Sequence, residues 1–172
     1  MDSVKVTIYQ SQRKIPISKD LKKLIKEACS ASLICEDRDG DFEVTVTIVS
    51  NNRIKEINSD CRGVDSVTDV LSFPLSEDGY EFDINPITDR QMLGDIVISA
   101  QRAMEQAHEF CQPFEREVAF LTVHSMLHLM GYDHVNSEDE ELEMRERQRV
   151  IMAALEDRCE KIGLFLGKRE EV

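Results

Sequence analysis

Val4, Val6 and Ile8 alternate with Lys5, Thr7 and Tyr9, the two-residue period of a half-buried strand. The same period returns after the turn residues Asp39-Gly40-Asp41, where Phe42, Val44, Val46 and Ile48 alternate with Glu43, Thr45 and Thr47. Between these strands the spacing lengthens to that of a helix. Leu21, Leu24, Ile25 and Ala28 form one apolar stripe behind Ser18, a side chain able to cap a helix, and Lys19, Lys22, Lys23 and Lys26 fall outside the stripe. Ser50 opens a short helix carrying Ile54 and Ile57. Residues 61 to 75 read as a loop leading into a short strand near 70 that Pro74 stops. The acidic stretch 76 to 92, with Gly79 and Pro86, reads as a long loop or mobile hairpin. Leu93 to Ile98 form a further strand, followed by a helix from about Ala100 to Phe110. Pro113 suits the first turn of the next helix, which runs through Val118, Leu121 and Val123. Ser137 and Glu140 make a capping-box pattern for a long charged helix with Met144, Ile151 and Leu155 inward. Four strands interleaved with five helices predict an α/β (α+β) fold, a small mixed sheet packed by helices, in one domain spanning residues 1–172.

Composition narrows the setting. The chain has no apolar run of signal-peptide or membrane-span character, and its five cysteines are odd in number and include no Cys-x-x-Cys pair. A reduced, cytoplasmic protein with no membrane partner is expected. The net charge of −13 argues against an indiscriminate nucleic-acid binder, and DNA is not expected as a partner. Residues 1–30 depart from this average, with seven basic residues against three acidic ones. That face either guides an anionic partner or is simply a solvated helix surface.

Candidate chemistry is concentrated in residues 124 to 134, His-Ser-Met-Leu-His-Leu-Met-Gly-Tyr-Asp-His, which hold three of the four histidines. His124 and His128 stand one helical turn apart, about 6 Å along the axis, and point the same way. Gly131 can take the left-handed conformation that ends a helix and returns the chain, bringing His134 to the pair. Three neutral imidazoles with one position left for a metal-bound water are the pattern of a catalytic zinc site. The helix that carries them should lie near the centre of the fold. The spacing is shared with the metzincin peptidases, where a Glu follows the first His as general base; here that position is Ser125. The remaining histidine, His108, reads as a satisfied core residue.

Together with Thr68-Asp69-Val70-Leu71-Ser72-Phe73-Pro74 and Leu93-Gly94-Asp95-Ile96, the His stretch resembles the YbeY family of metal-dependent endoribonucleases, over roughly residues 40 to 160. Ser125 departs from the family pattern, which usually has Gly there. The resemblance implies one Zn2+ on His124, His128 and His134, and cleavage of single-stranded RNA in the 3′-end maturation of ribosomal RNA of the small ribosomal subunit and in late ribosome quality control. It also implies that Arg62 is the family's functional Arg.

The residues support that chemistry independently. Zinc lowers the pKa of bound water from about 15.7 to about 7, supplying hydroxide without a carboxylate base. A guanidinium grips phosphate through two hydrogen bonds, which suits Arg62 to stabilising a pentacoordinate phosphorane. Asp133 either orients an imidazole from behind, acts on protons, or caps the turn. Asp69 and Asp95 read as structural residues at strand ends, Tyr132 as packing, and Glu117 as a side chain sharing the helix face of His124. Two other functions stay open on the residues alone: a zinc peptidase, and a non-catalytic ribosome-assembly factor in which zinc staples the helix to its turn.

Overall fold

The computed structural model describes residues 4–133 and 137–170. Each expected strand and helix is present among them. In chain order they are β1 (Val4–Gln10), α1 (Lys19–Cys35), β2 (Phe42–Val49), α2 (Asn51–Arg62), β3 (Val70–Pro74), β4 (Gln91–Ser99), α3 (Ala100–Glu109), α4 (Phe114–Leu129) and α5 (Glu138–Ile162). The sheet order is β1-β2-β4-β3, with β1, β2 and β4 parallel and β3 antiparallel to β4. This is the mixed sheet and α/β (α+β) class that the alternating pattern predicts, with Pro74 on the edge strand, where its missing N–H costs no ladder bond.

Local chemistry sets the boundaries. The hydroxyls of Ser18, Ser50, Ser99 and Ser137 accept from the backbone N–H of Leu21, Arg53, Arg102 and Glu140, closing the first turns of α1, α2, α3 and α5. Each such cap contributes about 1 kcal/mol. The start of β4 differs from the pattern. β4 begins at Gln91, because the acidic segment before it folds back as a hairpin: Ile84 bridges Gln91, and Asn85 and Thr88 donate to the Glu43 carboxylate at 2.6 and 2.8 Å. Asp95 therefore lies in the middle of a strand, exposed on its outer face, and not at a strand end.

The two faces of the sheet are covered unequally. Leu93, Ile96 and Ile98 point into the main core with α1, α4 and α5, whereas Val49, Leu71 and Val97 face a small cluster closed by Ile54 of α2. α4 packs against α1, α3, α5, β3 and β4. Consequently it is apolar almost all round, and between residues 117 and 129 only Phe120, His124 and His128 are not buried. The expected central position of the His helix is met.

Gly94 allows this helix to sit close to the sheet. Its φ is +138°, and an added Cβ would lie 2.2 Å from the Phe73 carbonyl oxygen of β3 and 3.1 Å from Leu129 Cδ2 of α4. The Gly94→Ala variant should lose about 2–4 kcal/mol of unfolding free energy in urea titrations, since neither the dihedral nor the close approach tolerates a methyl group.

Candidate metal centre

His124 and His128 lie on successive turns of α4 with their Nε2 atoms 3.1 Å apart and their rings inclined by 73°. A tetrahedral zinc ion with Zn–N bonds of about 2.0–2.1 Å holds two nitrogen ligands roughly 3.3 Å apart. The pair therefore has the bite of two cis ligands, and the donor set is chemically suited to zinc. Behind it, the side-chain amide of Gln148 on α5 contacts His124 Nδ1. The amide nitrogen is the atom at that contact, and the same amide turned over presents its oxygen, which would accept the Nδ1 proton and leave the Nε2 lone pair directed towards His128. The third expected ligand, His134, lies outside the described residues. Among the described residues there is no group of three or more His, Cys, Asp or Glu placed to hold a metal ion.

The turn after α4 is clamped from several sides. Gly131 has φ +96°, the left-handed turn expected of it, and an added Cβ would come within 2.7 Å of the Asp78 carbonyl oxygen. The Arg38 guanidinium donates to the carbonyls of Gly79 at 2.7 Å and Met130 at 3.0 Å, and lies 4.3 Å from the Tyr80 ring centroid. Tyr132 does more than pack: its hydroxyl donates to Glu36 at 2.6 Å, and Arg147 of α5 holds the other oxygen of that carboxylate at 2.6 Å. Burial, reinforced by the bond to Glu36, pushes the Tyr132 hydroxyl up to about 12. On the opposite side, Ser125 is fully buried and accepts a 2.9 Å hydrogen bond from Ser72 of β3.

His124 and His128 open into a cavity of about 520 Å³ that Arg62 and Asp133 also line. Arg62 belongs to the last turn of α2, not to the following loop. The helix continues through it because Gly63 supplies the left-handed cap at φ +69°. The next residues are fixed by Asn58, whose amide donates to the Ser66 carbonyl at 3.0 Å. A cation at a helix C-terminus is favoured by the helix dipole, and this one is exposed at the rim. Asp133 is exposed just beyond the turn. Two imidazoles, a guanidinium and hydroxyl-bearing walls make a cavity suited to a metal ion and an anion together.

A family model described as Endoribonuclease YbeY matches residues 6–156. Endoribonuclease YbeY of Alkaliphilus metalliredigens is 43% identical over 152 residues, covering 88% of this chain and 96% of the relative. That of Clostridioides difficile is 46% identical over 144 residues, covering 84% and 92%. The chain belongs to the endoribonuclease YbeY family. The fold extends the likeness: the solution structure of TM1509 from Thermotoga maritima superposes with a TM-score of 0.61 at 31% identity, covering 91% of this chain and 93% of that one.

Other singled-out side chains lie elsewhere in this YbeY-family chain. Asp69 accepts from the Val70 N–H at 2.7 Å and from Gln106 at 3.1 Å, a loop-fixing role as expected. His108 is exposed on the last turn of α3, because Ala100, Ala103 and Ala107 form the buried face of that helix; it is not a core residue. Glu117 accepts from the Gln112 amide. Gln148 was missed by reading α5 only for its apolar positions. The available signal was a polar residue in the inward series Met144, Gln148, Ile151 and Leu155, four residues after one member and three before the next.

Burial, chiefly, pushes the Glu117 carboxyl up to about 7; the Gln112 bond opposes this and the Asp69 charge adds to it. Because the folded-state value lies above that of an unfolded carboxyl, the folded chain holds the extra proton between about pH 4.5 and 7, and stability falls as pH rises through that window. Glu117→Gln should therefore be more stable than the parent at pH 8, with the difference closing by pH 5 in paired urea titrations.

Proposed function

We propose that this protein is a zinc-dependent endoribonuclease that hydrolyses single-stranded RNA, acting in 3′-end maturation of small-subunit ribosomal RNA and in late ribosome quality control, with residues 1–172 as one catalytic domain. The observation that carries the reading is the His124–His128 pair, its Nε2 atoms 3.1 Å apart, opening into the same cavity as Arg62 in a chain of this family. His134 completes the proposed ligand set. Zinc supplies Lewis acidity and a source of hydroxide at neutral pH.

The protein's own groups divide the remaining work. The Arg62 fork holds the non-bridging oxygens of the scissile phosphate and stabilises the charge that builds on them. Gln148 orients the His124 ring, and Asp133 at the rim orients an imidazole or moves a proton. A peptidase would need a carboxylate base at position 125, and the buried Ser125, bonded to Ser72, provides none. A cytoplasmic location belongs to the same reading, and among the described residues no helix is long and apolar enough to cross a membrane.

Metal analysis and an RNA digest test the parts separately. The parent chain should retain one zinc ion per chain after dialysis, and His124→Ala, His128→Ala and His134→Ala should each lose it. Arg62→Ala should keep the metal while cleavage of single-stranded RNA falls about 100-fold or more. Cleavage at the parental rate by that variant would remove the role given to Arg62, whereas a zinc-loaded parent chain that cleaves no RNA would leave the protein as an assembly factor with a structural zinc.

A further inference from the structure

A cavity of about 630 Å³ forms a groove between α4 and α5, lined by Phe120 and Gln148 and not by Arg62. Its Phe120 stands on the same face of α4 as the His pair. Phe120 precedes His124 by four residues as His124 precedes His128, so the ring is one turn, about 6 Å, further along α4. Gln148 connects the two places, lining the groove while its amide touches His124.

The character of the lining is unusual for this chain. The whole molecule carries 34 acidic and 21 basic residues, yet the groove is lined by Arg116, Arg145, Arg149 and Arg169 against Glu117 and Glu156. Two large rings also line it, Phe120 at 37% and Phe110 at 41% exposure, with the Arg169 guanidinium 5.7 Å from the Phe110 ring centroid. Arg145 and Arg149 are about 70% exposed and pair with Glu141 and Glu146 of the same helix. Ion pairs that exposed contribute little, so a phosphate that accepts two parallel N–H bonds can displace them. Burial leaves Glu117 at about 7, which lessens its repulsion of an anion at neutral pH.

We propose that the α4–α5 groove is a second RNA subsite that holds a nucleotide flanking the one at the His pair, its base stacked on Phe120 and its phosphate held by Arg145 and Arg149. Aromatic rings interleaved with arginines are the means by which proteins hold single strands without reading sequence: any base offers a π-face, and the guanidinium groups follow the backbone. The inference rests on the RNA-cleavage reading, and adds to it the path of the strand, out of the metal cavity and over Gln148 towards the C-terminal end of α5.

Anisotropy with the zinc-loaded protein and a short, labelled, nuclease-resistant oligouridylate tests it. Phe120→Ala should weaken binding about tenfold. The double variant Arg145→Gln, Arg149→Gln leaves the core untouched and should reduce the slope of log affinity against log salt by about 1.4, the share of two phosphate contacts on a single strand. An abasic oligomer of equal length should bind more weakly to the parent and respond little to Phe120→Ala. Parental affinity and salt slope in both variants, with RNA still bound and cleaved, would overturn the groove and leave the nuclease reading intact. An oligoglutamate that binds as tightly as the RNA would also overturn it, by making the groove a general anion surface. A parent chain that neither binds nor cleaves RNA would remove both.

Discussion

The burial of α4 on nearly every side is the constraint on which the rest of this structure depends. Helices on three sides and two strands beneath it leave only Phe120, His124 and His128 in its central turns unburied, all on one face. An imidazole pair on a solvated helix would spend rotamer entropy each time its nitrogens converged. Here the helix is held by its buried apolar residues, and the two Nε2 atoms stand 3.1 Å apart on its one unburied face. Preorganisation of this kind is what a tight metal site needs.

The sheet serves the same end. Gly94 permits a backbone approach that places β3 against β4 and lets Leu129 settle beside them, and β3 in turn brings Ser72 to Ser125. The family usually has Gly at position 125. A serine there is accommodated by a partner on the neighbouring strand, which turns a buried hydroxyl from a cost into a cross-link between helix and sheet. Behind the centre, Glu36 takes hydrogen bonds from both Tyr132 and Arg147, tying the ends of α1 and α4 to α5 through one carboxylate. Arg38 fastens the preceding hairpin to the same turn. The segment that leads to His134 thus leaves a fixed point.

Charge is distributed to match. An acidic chain repels polyanions at long range, and screening over about 8 Å at physiological salt confines any attraction to places where cations cluster. Arg62 at the mouth of one cavity and the arginines of the α4–α5 groove are such places.

Alternation at two residues, apolar stripes at helical spacing and serine caps determined the elements, because these are signals that neighbouring residues carry together. The pair His124 and His128 was legible for the same reason: a helix of fixed pitch places residues four apart on one face. Gly131 was legible as a bend and Ser125 as a departure from its family. Only the tertiary structure decided what lies opposite them. That Arg62 rides on a helix end, that Glu43 anchors the acidic hairpin, that His108 faces solvent and that Gln148 meets His124 from a helix beginning fourteen residues beyond it depend on contacts between distant segments. Local periodicity records which face of an element is apolar. It holds no record of which other face it meets, since that is settled by the packing of all the elements at once.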